Sequence, residues 1–121
     1  VLYIEDNPVN VLLMEAMLAR LPGIRLTCAP LPGLGLDIAR AERPDLVLLD
    51  IQLPGMDGFE VLQRLRREPA TREIPVIAVS ANAMSTDIDR ARIAGFADYL
   101  TKPLDVLRLL DAVQSVLANR R

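Results

Sequence analysis

Short apolar runs alternate five times with helix-like segments along this chain of 121 residues. The runs are VLYI, IRLTCA, LVLL, IPVIAV and ADYL. Such alternation is typical of βαβ units, in which helices join parallel strands and cover the sheet. The run LVLL has no polar interruption, as expected for a strand that is covered on both faces. The pattern therefore predicts an α/β domain with a five-stranded, doubly wound parallel sheet and helices on both faces.

The segments between the runs carry signals for the start and end of helices. Asn7 followed by Pro8 is a favoured helix start, and Asp57 with Glu60 has the spacing of a capping box. Gly95 is expected to end a helix that covers residues 86–94. Apolar side chains recur at helical spacing after Pro8: Val9, Leu12, Leu13, Ala16 and Met17.

Composition excludes several classes of function. The net charge of −2 and an aromatic content of 3% argue against nucleic-acid binding. The chain has no histidine, which excludes histidine catalysis within it, and its single cysteine, Cys28, indicates a reducing compartment such as the cytoplasm. No apolar run approaches ~18 residues, so we expect no membrane contact.

The length suits one domain over residues 1–121. Because Val1 already lies in a strand pattern, we expect this domain to be cut from a longer protein.

Polar side chains follow four of the apolar runs where each run ends: Glu5 with Asp6, Asp50, Ser80, and Thr101 with Lys102. In open parallel sheets, ligands bind outside the carboxyl ends of the strands, so these side chains should meet. Carboxylates bind hard cations such as Mg²⁺. Lys102 is the only lysine among 14 basic residues, and its compact ammonium suits an anion in a crowded site. The sequence therefore predicts a site for Mg²⁺ and a phosphoryl group, with Asp50 at its centre.

Four strings in order along the chain resemble the receiver domain of bacterial response regulators: EDN, LLDIQLPGMDGFEVL, AVSANAM and DYLTKPL. The resemblance covers essentially the whole chain. It implies a flavodoxin-like fold with strand order 2-1-3-4-5. The strings EDNPVN and SANAM resemble, more narrowly, the receivers of hybrid sensor histidine kinases. We therefore favour a receiver from a hybrid kinase, or one that stands alone, over a DNA-binding regulator.

The resemblance implies that Asp50 accepts a phosphoryl group from a phosphohistidine on a histidine kinase or a histidine phosphotransfer domain. Aspartyl phosphate is a known product of nucleophilic carboxylates. Asp6 and Asp50 would bind Mg²⁺, or Mn²⁺, directly. Glu5 would act through a water, and the backbone carbonyl of Gln52 would complete the protein ligands.

The resemblance also assigns roles around the phosphoryl group. Lys102 would pair with Asp50 before transfer and with a phosphoryl oxygen afterwards, and Ser80 would bind another oxygen. A cis peptide before Pro103 would fix the direction of Lys102. Tyr99 would turn inward when Ser80 moves, which would alter the surface formed by the fourth helix, fifth strand and fifth helix. We expect a monomer or a weak dimer that depends on phosphorylation.

Three other interpretations remain open. A phosphohydrolase of the haloacid dehalogenase type also uses a strand-end aspartate, but Gln52 stands where that class needs an acid. A flavodoxin-like cofactor binder would need a phosphate loop less acidic than EDNPVN. A degenerate receiver would only bind a partner. The presence of all the expected acidic residues, Glu5, Asp6 and Asp50, argues against this interpretation. As an isolated domain the chain would catalyse only its own phosphorylation and dephosphorylation, although the parent chain could be a kinase.

Overall fold

The computed structural model describes residues 1–53, 55–82 and 84–119. Over this part of the chain, strands and helices alternate as β1 Leu2–Ile4, α1 Pro8–Leu18, β2 Thr27–Ala29, α2 Pro32–Glu42, β3 Val47–Asp50, α3 Gly58–Arg67, β4 Val76–Ser80, α4 Ser85–Ala94, β5 Asp98–Thr101 and α5 Val106–Ala118. All strand pairs are parallel, in the order β2-β1-β3-β4-β5. The predicted α/β class, the strand order and the flavodoxin-like topology are confirmed. Pro54 lies outside the described residues.

The pleat of the sheet sends alternate side chains into two hydrophobic clusters. Leu2, Ile4 and Leu49 pack with α2, α3 and α4 on one face. Tyr3 and Leu48 pack with α1 and α5 on the other face. Because both faces are covered, the central strands are buried throughout, and only the ends of the strands remain open to a ligand.

Several helix boundaries follow from the signals in the sequence. The side chain of Asn7 accepts a hydrogen bond from the backbone N–H of Val9 and caps α1. The side chain of Asp57 accepts one from the N–H of Glu60 and caps α3. Gly95 ends α4 with a φ of 112°, in the left-handed region that favours glycine. The two predicted caps and the predicted stop are confirmed.

The run IRLTCA forms a shorter strand than its apolar length indicates. Only Thr27–Ala29 is strand, because its single neighbour β1 offers three partners, from Leu2 to Ile4. An edge strand extends only as far as its neighbour allows.

The face that α1 buries differs from the one that its apolar spacing indicates. Met14 and Leu18 are the buried residues of this helix, whereas the side chains of Val9, Leu12 and Leu13 are 62%, 66% and 55% exposed. The helix is apolar on nearly every side, so periodicity does not determine which side meets the sheet. These three exposed residues form an apolar stripe at the start of α1.

No helix in the described ranges combines the length and apolar character that a membrane span requires.

Candidate functional site

The register of the sheet brings the predicted polar residues to one edge. Ile4 lies opposite Leu49, so that Glu5 and Asp50 follow on neighbouring strands. On the other side of β3, β4 ends at Ser80. The side chains of Glu5, Asp50 and Ser80 are almost fully buried, whereas Asp6 is exposed. The floor of the site is therefore buried, and Asp6 lies at its rim.

Three carboxylates form a cluster that suits a divalent cation. Oxygens of Glu5, Asp6 and Asp50 lie within 4.8 Å of one another. Hard oxygen ligands of this kind match Mg²⁺, which usually keeps several waters and uses few carboxylates. The donor set thus fits the metal that the sequence predicts.

The ammonium of Lys102 bridges two of these carboxylates. Its Nζ lies 3.0 Å from Oε1 of Glu5 and 3.2 Å from Oδ2 of Asp50. The sequence predicts the contact with Asp50 but not the shorter one with Glu5. The peptide bond between Lys102 and Pro103 is cis.

The carboxylate of Glu5 accepts several hydrogen bonds that its predicted role, binding the metal through a water, does not explain. Its carboxylate accepts hydrogen bonds from the hydroxyl of Tyr3 at 3.0 Å and from Nδ2 of Asn10 at 2.9 Å. The backbone N–H of Asn7 donates a longer bond of 3.3 Å. Sequence reasoning missed Tyr3, which looks like an ordinary strand residue. It also missed Asn10, although a polar residue among apolar ones in α1 was a usable signal.

Burial and charge move the pKa values of the two buried carboxylates in opposite directions. Burial raises the pKa of Asp50 to about 6, and the nearby charge of Glu5 adds to this effect. Burial also disfavours the ionised form of Glu5, but the hydrogen bond from Lys102 and other donors outweigh it and lower the pKa to about 2. Asp50 is therefore the carboxylate that is costly to ionise without a cation.

The loop after β3 orients Asp50. The backbone N–H of Gln52 donates to Oδ1 of Asp50 at 3.0 Å. A Cβ atom at Gly58 would lie 2.7 Å from the Cα of Ile51, so only glycine lets the start of α3 approach this loop so closely. The role of the Gln52 carbonyl as a metal ligand stays a prediction.

Ser80 and Tyr99 are connected through the backbone of one residue, Asn82. The Oγ of Ser80 accepts a hydrogen bond of 3.1 Å from the backbone N–H of Asn82. The carbonyl of Asn82 accepts one of 2.7 Å from the hydroxyl of Tyr99. Asn82 is a link that the sequence did not indicate, because it acts through its backbone.

The doubly wound sheet thus carries an acidic cluster and a bridging lysine at the carboxyl ends of its strands. The model of the response regulator receiver domain family matches residues 1–114. The chain belongs to this family.

Curated relatives cover the same length. The chain is 38% identical to protein PilH of Pseudomonas aeruginosa over 119 residues, which cover 98% of each chain. It is 41% identical to the polar-differentiation response regulator DivK of Brucella anthropi over 120 residues, which cover 98% of this chain and 96% of that one.

Solved structures agree in fold. The receiver domain of the sensor histidine kinase PA1611 from Pseudomonas aeruginosa, with magnesium in its active-site cleft, is 36% identical and has a TM-score of 0.86, covering 97% of this chain and 95% of that one. The receiver domain of the Francisella response regulator 1452 has a TM-score of 0.90 at 24% identity over 99% and 97% of the two chains, which supports the fold alone.

Proposed function

We propose that this domain accepts a phosphoryl group on Asp50 from a phosphohistidine of a histidine kinase or phosphotransfer domain, in a reaction that depends on Mg²⁺ and for which Mn²⁺ can substitute. The observation that carries the proposal is the buried Asp50 carboxylate, with an ammonium 3.2 Å away and two further carboxylates beside it. A carboxylate oxygen of Asp50 attacks phosphorus, the bond from phosphorus to the imidazole nitrogen breaks, and the electron pair leaves with the imidazole. Residues 1–121 would act as one receiver domain in the cytoplasm. This receiver would belong to a hybrid kinase or stand alone.

The residues around Asp50 supply the positioning and charge neutralisation that phosphoryl transfer needs. Asp6, Asp50 and the Gln52 carbonyl would hold Mg²⁺ directly, with Glu5 acting through a water. The bound metal would neutralise charge on the phosphoryl oxygens. Lys102 would bind one of these oxygens, and the hydroxyl of Ser80 would donate to another.

The proposed function requires that the domain binds Mg²⁺ and that Asp6 is one of the ligands. We expect Mg²⁺ to raise the melting temperature, because a ligand that binds only the folded state stabilises it, and acetyl phosphate with Mg²⁺ to add one phosphoryl group. Asp6→Ala should remove most of both effects, measured by thermal denaturation and intact mass. Asp37→Ala, which removes an exposed carboxylate on α2, is the control. A full Mg²⁺ response in Asp6→Ala would exclude Asp6 as a ligand.

The apolar stripe of Val9, Leu12 and Leu13 gives the protein donor a surface to bind. The stripe begins three residues after Asp6 and has the spacing of one helical face. A partner that brings phosphohistidine to Asp50 must cover the rim where Asp6 lies, and the stripe adjoins that rim. Because the stripe is apolar and more than half exposed, burying it would favour the complex.

Separate donors test this surface. Leu12→Ser should lower kcat/KM for transfer from a phosphohistidine protein by about tenfold and leave transfer from acetyl phosphate unchanged. Leu34→Ser, which replaces an exposed leucine of α2, is the matched control. An equal loss with both donors would mean that Leu12 affects the site itself rather than docking.

The link from Ser80 through Asn82 to Tyr99 supports a conformational switch. If Ser80 turns toward a phosphoryl oxygen, the N–H of Asn82 loses its acceptor, and the Asn82 backbone, whose carbonyl holds Tyr99, becomes free to move. Such a change would reach the surface of α4, β5 and α5. Local charge acting on a bistable element is the general form of such switches, and the altered surface would allow a weak dimer that forms on phosphorylation.

Hydrogen exchange tests the switch. Phosphorylation should change amide exchange across residues 80–107, and Ser80→Ala should keep phosphoryl acceptance but lose most of that change. Thr71→Val, which removes a buried hydroxyl outside the site, should retain it. Identical exchange with and without the phosphoryl group would refute the switch and leave the transfer chemistry intact.

A further inference from the structure

The carboxylate of Glu5 receives three hydrogen bonds on one oxygen. Tyr3 donates at 3.0 Å, Asn10 at 2.9 Å and Lys102 at 3.0 Å, all to Oε1. The other oxygen, Oε2, accepts only the longer 3.3 Å bond from the N–H of Asn7 among the contacts described. The side chain of Glu5 is 1% exposed, so bulk water does not compete for these positions.

This uneven arrangement fixes the direction of the carboxylate. Three donors on Oε1 oppose rotation of the group, and they leave most of the acceptor capacity of Oε2 for a water bound to a metal. Two of the donors, Tyr3 and Asn10, are neutral, and the hydrogen bond that each side chain donates goes to Glu5. Tyr3 is itself 1% exposed, and Asn10 is held within α1.

We infer that Tyr3 and Asn10 are positioning residues of the metal site, which hold the buried Glu5 carboxylate in the orientation that serves bound Mg²⁺. The inference rests on the proposed function, since it concerns the same cation site. Supporting groups around a metal site that orient its acidic groups commonly change metal affinity when they are removed.

The test is a calorimetric titration of Mg²⁺ into the unphosphorylated domain. Tyr3→Phe keeps the ring and removes the hydroxyl, and Asn10→Ala places a better helix former inside α1. Each should raise the Kd for Mg²⁺ about three- to tenfold, the scale of one typical net intramolecular hydrogen bond. The control is Thr71→Val, which deletes another buried hydroxyl. That hydroxyl donates to the carbonyl of Leu65 at 2.7 Å, and its removal should leave the Kd for Mg²⁺ unchanged.

Melting temperatures of the metal-free variants separate positioning from stability. Weaker Mg²⁺ binding by Asn10→Ala with no loss of melting temperature supports the inference. A wild-type Kd in both Tyr3→Phe and Asn10→Ala overturns it, even if Tyr3→Phe melts earlier, and leaves the proposed function standing. If the unsubstituted domain binds no Mg²⁺, the proposed function fails first, and this inference fails with it.

Discussion

Asp50→Asn is expected to abolish phosphoryl acceptance while the fold persists. The amide has nearly the shape of the carboxylate but lacks a nucleophilic oxygen anion, so no acyl phosphate forms. Intact mass after incubation with acetyl phosphate and Mg²⁺ measures the outcome. We expect one added phosphoryl group on the unsubstituted domain and none on the variant.

Asp45→Asn provides the matched control for this substitution. Asp45 is exposed and lies just before β3, at the opposite end of the strand from Asp50, so its replacement should leave the mass gain unchanged. A full mass gain in Asp50→Asn would remove Asp50 from the reaction. If the unsubstituted domain accepts no phosphoryl group from any donor, the interpretation as a degenerate receiver, which only binds a partner, takes its place.

The position of the site could be predicted from the sequence because it depends on topology. Parallel strands that end in polar residues place those residues at one edge, and Glu5, Asp50 and Ser80 follow that rule in the structure. The local caps at Asn7 and Asp57 were equally predictable, since they depend on residues two or three positions apart.

Features that depend on tertiary packing could not be predicted in the same way. The exposed stripe on α1 and the buried Met14 come from a helix with too many apolar residues for its periodicity to select a face. The hydroxyl of Tyr3 reaches Glu5, just beyond the end of β1, because residues two positions apart in extended backbone share a face and both side chains are buried. The strand pattern places the two side chains on one face but does not show that the hydroxyl donates to the carboxylate. The bridge from Lys102 to Glu5 spans 97 positions of sequence.

Lys102→Met is expected to destabilise the metal-free domain at neutral pH by about 3 kcal/mol, because it leaves two buried carboxylates without their shared cation. In the native site, the donors to Glu5 lower its pKa to about 2 from the ordinary value of 4.5. A lowered pKa contributes stability that is present above the ordinary pKa and is lost as the pH falls toward the folded value. Without the ammonium, this contribution shrinks or reverses.

Asp50 determines the pH range in which the loss appears. Its pKa is already raised to about 6 with Lys102 present, so ionising Asp50 costs stability as the pH rises from its ordinary value of 3.8 through the folded one. Removing Lys102 enlarges that cost. Urea unfolding without Mg²⁺ should therefore show a large difference between Lys102→Met and the unsubstituted domain at about pH 7.5 and a much smaller one at about pH 4.5.

A second substitution distinguishes charge from packing as the cause. Asp50→Asn added to Lys102→Met removes one of the two uncompensated charges and should restore part of the lost stability at neutral pH. If the methionine variant is equally unstable at both pH values and gains nothing from Asp50→Asn, then Lys102 stabilises the site through its packing. In that case the electrostatic account of the bridge between Glu5 and Asp50 is wrong, although Lys102 could still bind the phosphoryl group.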